Sequence, residues 1–308
     1  MRVAGISETG GPVEIFSVPD PPAPAADEVT IQVRAAGVGD WDEVVRIGDW
    51  DVHASPPMAL GVEAAGVVDA VGAAVTGWGP GDEVITHPVP LRGQGTWAPW
   101  LLAPAGLLAV KPAALSWEAA AGFPIPALTA HQTLAEALRV QPGETVLVNG
   151  AGGVTGRLLV SLAVAMDARV IAVAGPTSEP QLLSLGADAV LDYHRQDWPR
   201  RLMRLTESRR VDAVANAVRD GSAAAIDTIR DGGRLATITS DPPPPQRGIE
   251  ITSVYVRADG TQLRTLADRV CVNVRVIEAG LTFPLVEAEQ ALALATRGAG
   301  GRVVSLKL

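Results

Sequence analysis

The segment Val146–Gly156, VLVNGAGGVTG, constrains this chain more than any other. A β-branched apolar run enters glycines at 150, 153 and 156 and continues into a helical apolar pattern. Each glycine has its own physical reason: a tight turn, close approach of a bound group to backbone N–H groups, and close packing of helix on sheet. The N-terminus of the following helix adds partial positive charge, which suits a pyrophosphate. Strand-like and helical runs then alternate. Strands are predicted at Thr145–Gly150, Arg169–Gly175, Ala189–Tyr193, Val211–Val218 and Arg234–Ser240. Helices are predicted near Arg157–Met166, up to Leu185-Gly186, near Trp198–Thr206 and over Ser222–Arg230. Nearly all-apolar strands separated by helices imply a parallel sheet covered on both faces, the doubly wound α/β class. A glycine cluster alone would be consistent with a packing turn, and the βα units around it favour a dinucleotide site.

The 308 residues suggest two domains. The first 110 residues read as short strands broken by turns, with Val29–Val38, Gly61–Gly72 and a turn at Gly79–Val84, a mostly β domain. Pro19–Pro24 and Ser55–Pro57 read as loops, since consecutive prolines remove sheet donors. From Ser116 the spacing becomes helical, and Pro124 and Pro126 are expected to split that stretch in two. Asp241–Gly248, DPPPPQRG, must be a loop, followed by a strand-like Ile249–Val256 and a helix near Gln262–Arg269. The closing segment reads as strand or turn, helix, glycine loop and strand. The expected division is a β-rich domain over 1–115, completed by 275–308, and a nucleotide-binding domain over 116–274.

Composition excludes several classes. A net charge of −9 argues against nucleic acid or an anionic membrane as main partner. The single cysteine, Cys271, permits no intrachain disulfide and no thiolate-rich zinc site. Neither a leader pattern nor an uncharged apolar run of about 18 residues occurs, so a soluble, cytoplasmic protein is expected.

The end of the second strand of the α/β region bears on which nicotinamide cofactor binds. An NAD-specific site places an acid there to accept from the ribose 2′-OH, and none occurs in Val173–Ser178 before Glu179. NADPH is therefore favoured over NADH. No Lys or Arg follows either, so a 2′-phosphate would rely on Thr177, Ser178, Tyr193, or an arginine such as Arg297 or Arg302.

Several motifs together resemble a zinc-independent member of the medium-chain dehydrogenase/reductase superfamily, close to the quinone oxidoreductases. They are AAGVGDWD at 35–42, LGVEAAGVVDAVG at 60–72, PGDEV at 80–84, ALTAHQTL at 127–134, the glycine loop at 150–156, LGADAVLDY at 185–193, DGGRL at 231–235 and GGRVV at 300–304. The resemblance covers nearly the whole length and implies a GroES-like β-rich catalytic domain with a Rossmann domain inserted in it. Zinc-dependent members carry Cys where this chain has Gly39 and His where it has Val62, so no zinc is expected. Quinone oxidoreductases have Asn at the Gly39 position and Tyr at or near Val44, and both differ here.

The resemblance implies that Thr129 contacts the nicotinamide side, that Gly150, Gly152, Gly153, Val154, Thr155 and Gly156 hold the pyrophosphate, and that Tyr193 meets the adenosine ribose or its phosphate; Gly175, Thr177 and Ser178, at the end of the second strand, are read as cofactor-binding from their position. Asn216, Val218, Thr239 and Ser240 end strands of the sheet, where ligands sit. Tyr255 either reaches the nicotinamide or pairs two subunits edge to edge in a homodimer. Without a metal, the natural chemistry is hydride transfer from NADPH to an activated C=C bond or quinone, with solvent supplying the second proton. The expected partner is a small hydrophobic carbonyl or quinone. Trp41, Trp50 and Trp97 are nominated for its pocket, beside the alternative that indoles fill core space. Asp40 is a candidate proton donor, Asp42 a structural hydrogen-bonding group, and His53, His87 and His131 are read as surface or packed histidines. Two other readings stay open: a zinc-free ketone/alcohol oxidoreductase, and a low-turnover NADPH-binding protein.

Overall fold

The computed structural model describes residues 1–195, 197–270 and 277–308; Cys271 lies outside them. The chain forms two compact units, one of Met1–Leu128 with Arg257–Leu308 and one of Thr129–Val256. Strands dominate the first part of the first unit: β1 (Arg2–Ile6), β2 (Glu14–Ser17), β3 (Glu28–Val38), β4 (Met58–Ala59), β5 (Ala64–Val71), β6 (Glu83–Thr86), β7 (Trp100–Pro104) and β8 (Leu108–Val110). Helix α1 (Asp40–Ile47) was not expected within this mostly β part. Its first turn carries Asp40, Asp42 and Glu43, which suit a helix N-terminus, and Gly48 ends it at φ 87°.

Helices α2 (Trp117–Ala121) and α3 (Pro124–His131) follow. Ser116 caps α2, its Oγ accepting from the Ala119 N–H at 3.2 Å. The prolines at 124 and 126 open α3 rather than interrupt it, because a first-turn N–H needs no helical partner.

The second unit is one parallel sheet with helices between its strands. In chain order it contains β9 (Thr145–Asn149), α4 (Val154–Val164), β10 (Arg169–Ala174), α5 (Glu179–Ser184), β11 (Ala189–Asp192), α6 (Trp198–Leu205), β12 (Val211–Asn216), α7 (Ser222–Ala225), β13 (Ile229–Thr237) and β14 (Glu250–Ser253). The strand order is β11-β10-β9-β12-β13-β14, so the chain runs outward from β9 on one side and returns to build the other. The crevice between β9 and β12 is the topological switch point. The helix expected over Ser222–Arg230 is cut short, because Ile229 is fully buried and pairs with Val211 as the start of β13. Leu147, Ile171, Leu191, Val214 and Leu235 form the centre of this unit's core, each at most 1% exposed.

The remaining segment returns to the first unit as α8 (Gly260–Val270), β15 (Ala279–Pro284), α9 (Ala288–Arg297) and β16 (Val303–Lys307). The seven-stranded sheet there runs β15-β16-β3-β5-β6-β8, with β7 also paired to β3. The antiparallel match of Val304 with Val38 and Lys307 with Ala35 joins the two ends of the chain. Because Leu147 sits in the middle of the buried β9, Leu147→Ala is expected to lower unfolding free energy by about 2–5 kcal/mol, read from urea denaturation.

Candidate functional site

The geometry of the glycine loop follows from two close approaches. Gly150 has φ +84°, and a Cβ there would stand 2.7 Å from Val218 Cγ2. At Gly156 a Cβ would stand 2.2 Å from the Gly150 carbonyl oxygen, so only glycine lets α4 begin against the end of β9. The Gly150 and Ala151 N–H groups both donate to Val173 O, at 3.1 and 3.0 Å, which pins the loop to β10. Gly153 is different: a Cβ there would meet nothing nearer than the Gly150 oxygen at 3.7 Å. It is the N-cap of α4 with no side-chain cap, so the first amides of the helix are presented to an outside acceptor. These features fit the pyrophosphate of a dinucleotide.

Across the switch point, Asn149 Nδ2 donates to Asn216 Oδ1 at 2.8 Å. Asn216 Nδ2 has two hydrogens, and its shortest contacts are Val218 O and Ser222 Oγ, both at 2.9 Å. Ser222 Oγ passes a hydrogen bond on to Asp241 Oδ1 at 2.9 Å, and its backbone N–H donates to Asp241 Oδ2 at 3.1 Å. Thr237 and Thr239 hydroxyls also donate to Asp241, at 2.5 and 2.7 Å. Burial opposes ionisation of Asp241, and these hydrogen bonds outweigh it, so its carboxyl lies below the usual aspartate range. Asn149 and Asp241 were not foreseen; the signal for Asp241 was an acid at a strand end directly before a proline run.

At the far side of the loop, Gly175 follows β10, and Tyr193 and His194 follow β11. Tyr193 is half exposed and its ring stacks on His194 with centroids 4.1 Å apart. Ser178 lies over the loop, its Oγ 2.8 Å from where a Cβ on Gly152 would be. Tyr255 is exposed, with its hydroxyl 3.3 Å from Ser240 Oγ. Thr129 is buried within α3. All the expected cofactor residues from Thr129 to Tyr255 thus belong to the second unit. Arg297 ends α9 and Arg302 precedes β16, both in the first unit.

In the first unit, three ionisable side chains are wholly buried around residues 37–42, 61–63 and 87. Asp42 Oδ2 accepts from the Gly39 N–H at 2.9 Å, as a structural hydrogen-bonding group would. Burial raises its carboxyl to about 8, against the pull of that bond, and Asp40 adds to the rise. Glu63 is likewise pushed well above its ordinary value by burial, although Ile125 N–H donates to it at 2.9 Å. His87 is pushed down to about 4 by burial, against its bond to Val62 O. Asp42 and His87 are therefore uncharged at neutral pH. Since a carbonyl only accepts, His87 Nδ1 carries the proton donated to Val62 O at 2.7 Å, and Nε2 keeps a lone pair. Buried Trp41 Nε1, Glu63 Oε1 and His87 Nε2 have no hydrogen-bond partner among the described residues.

The residues nominated for the substrate separate into two kinds. Trp50 is partly exposed, its ring 5.9 Å from that of His87, and Trp41 is partly exposed on α1. Asp40 is exposed at the start of α1, whereas His53 is an exposed partner of Asp51. Trp97 corrects its nomination: it is fully enclosed and its Nε1–H is used by Gly37 O at 3.1 Å, so it fills core space. Glu63 and His87 carry the buried polar chemistry that the sequence reading underweighted. Gly39 and Val62 offer no ligand atom, and a Cβ at Gly39 would stand 2.2 Å from the Trp41 ring. Among the described residues, no three His, Cys, Asp or Glu side chains are grouped to hold a metal, and no helix is long and apolar enough to cross a membrane.

Comparison with known proteins agrees with this architecture. Residues 25–113 match the alcohol dehydrogenase GroES-like domain, and residues 154–258 match the zinc-binding dehydrogenase family. Quinone oxidoreductase 1 of Escherichia coli is 31% identical over 231 residues, 74% of this chain and 69% of that protein. Erythronolide synthase EryA2 of Saccharopolyspora erythraea is 35% identical over 212 residues, 66% of this chain but 6% of the synthase. Among solved structures, an NAD-dependent alcohol dehydrogenase superposes with TM-score 0.88 at 30% identity, and a mycobacterial protein in complex with NADPH with TM-score 0.85 at 28%, each covering 100% of both chains. The chain belongs to the medium-chain dehydrogenase/reductase superfamily, in its quinone oxidoreductase-like branch, with a GroES-like domain and a Rossmann-like parallel-sheet domain.

The buried acids make stability pH-dependent with a definite sign. Asp42 keeps its proton in the folded state to about pH 8 and loses it near its ordinary value when unfolded. The folded state then binds more protons, so stability falls as pH rises toward 8, by up to about 1.4 kcal/mol per pH unit for one group. His87 works in the opposite direction only below the ordinary histidine range, so the window from about pH 6.5 to 8 isolates the acids. Asp42→Asn is expected to flatten the decline there by roughly one proton, measured by urea unfolding at several pH values.

Proposed function

We propose that this protein is an NADPH-dependent, zinc-independent oxidoreductase that reduces an activated C=C bond or a quinone. The observation that carries the reading is the glycine loop at the switch point, with Gly150 and Gly156 filled by close contacts and Gly153 left open before an uncapped helix. The mycobacterial relative solved with NADPH supports the choice of cofactor, and the E. coli relative's name supports a quinone-type acceptor. Matches to segments of polyketide synthases favour including conjugated thioesters in the acceptor class of this reading.

In this reading residues 1–115 with 275–308 bind the acceptor and residues 116–274 bind the nucleotide. When bound, the reduced nicotinamide supplies the hydride. Gly150–Gly156 hold the pyrophosphate through backbone N–H groups. Asn216 and Asp241 fix the ends of β12 and β13, which hold the nicotinamide end in place. Trp41 and Trp50 give the acceptor flat apolar faces. Hydride arriving at the β carbon of an enone leaves an enolate, which takes its proton from solvent, so no side chain has to act as acid. Neutral Asp42 and His87 add no charge to the acceptor region. The edge position of β14, with β13 as its one neighbour in the sheet order, supports a homodimer by edge pairing.

The test is oxidation of NADPH and NADH, followed by absorbance, against enones, enoyl thioesters, quinones and simple ketones. Turnover of a conjugated acceptor or quinone with NADPH is expected; turnover of simple ketones alone would overturn the reading in favour of carbonyl reduction. NADPH binding without any turnover would favour the low-turnover binding protein. Gly153→Ala separates binding from folding, since its Cβ would enter open space. It is expected to weaken NADPH binding by about tenfold or more while leaving the melting temperature nearly unchanged.

A further inference from the structure

We propose that His194, held by Asp192 and stacked on Tyr193, is the group that reads the adenosine 2′-phosphate and so selects NADPH over NADH. This rests on the cofactor reading above and adds a residue and a mechanism to it. The parallel register pairs Ala174 with Asp192, which brings Gly175 and Pro176 alongside Tyr193 and His194 at the carboxyl ends of β10 and β11. A ribose attached to a pyrophosphate on the β9–α4 loop reaches this place. A Cβ on Gly175 would lie 3.6 Å from His194 Cε1 and 3.6 Å from Tyr193 Cε1, so both rings border the glycine.

Asp192 gives the argument its edge. An acid near the second strand end accepts a ribose 2′-OH and repels a 2′-phosphate, which favours NADH. Here that carboxylate is already engaged: Oδ1 accepts from the His194 backbone N–H at 3.0 Å and from ring Nδ1 at 2.7 Å. Those bonds, the backbone one first, hold its carboxyl below the ordinary range. With Nδ1 committed to the carboxylate, Nε2 is the ring nitrogen left to meet a phosphate, on a side chain 58% exposed. Imidazolium in that position makes a charge-assisted hydrogen bond where Val173–Ser178 contains neither Lys nor Arg.

Other charges surround the pair on the elements packed against β11. Glu179 heads α5, Arg200, Arg201 and Arg204 lie on α6, and Arg195 bonds Asp197 at 3.2 Å on the same turn as His194. Arg195 is thereby partly compensated, and it is the His194 ring that borders Gly175.

The experiment titrates the full chain with 2′,5′-ADP and with 5′-AMP by calorimetry, at about pH 6 and about pH 8. It compares wild type, His194→Gln and His194→Arg. The wild-type preference for 2′,5′-ADP is expected to shrink as pH rises. In His194→Gln it is expected to fall by about tenfold at the lower pH, since the charge is lost and Asp192 is uncovered. His194→Arg is expected to keep the preference at both pH values. The Gln variant also subtracts the titration of the phosphate itself. An unchanged preference and pH response in His194→Gln, with both probes and NADPH still binding, overturns the inference and leaves the cofactor reading standing. Failure of the wild type to bind NADPH or either probe overturns both.

Discussion

The second unit depends on the contact between the start of α4 and the end of β9. At Gly156 a side chain would collide with the Gly150 carbonyl, so the helix can begin where it does only because that Cβ is missing. This approach aims the first-turn amides of α4 past the strand end into the crevice where the sheet order reverses. Two other anchors hold the crevice open. One is the double hydrogen bond from Gly150 and Ala151 to β10, and the other is the Asn149–Asn216 bridge with Asp241 behind it. Backbone amides and neutral amides line the near side of the site, and the Asp241 carboxylate is buttressed behind it.

The first unit solves a different problem. Residues that would present metal ligands in zinc-dependent relatives are Gly39 and Val62 here, and the nearby acids and imidazole are buried. A buried charge is expensive without a partner, so Asp42 stays protonated, His87 stays neutral and the Glu63 carboxyl is pushed toward its protonated form. The region is polar in atoms, and Asp42 and His87 carry no charge there at neutral pH. Such an environment suits chemistry in which charge develops on the acceptor oxygen and is met by hydrogen bonds.

How much of this was legible in the residues depends on the range of the interaction. Strands β9 to β12 were readable because a sheet covered on both faces needs apolar side chains in both directions, and the glycine loop because its steric demands are local. Helix α1 was missed because its eight residues lie between strands, and the helix over Ser222–Arg230 was overextended because pairing of Ile229 with Val211 outweighs local helical spacing. Trp97 could not be told from Trp50 by sequence, since enclosure of an indole depends on neighbours far along the chain, in this case Gly37. Glu63, His87, Asn149 and Asp241 were invisible or undervalued for the same reason. Their partners are 19 to 67 residues away in most cases, and no spacing rule reports such contacts.

Hydride destination is the most direct measure of the central claim. NADPH carrying deuterium at nicotinamide C4, on the transferred face, is incubated with the protein and an enone, and the product is examined by NMR. One deuterium at the β carbon of a saturated ketone, with a solvent proton at the α carbon, is the result expected of a zinc-free conjugate reductase. Deuterium on the carbonyl carbon of an allylic alcohol would contradict it.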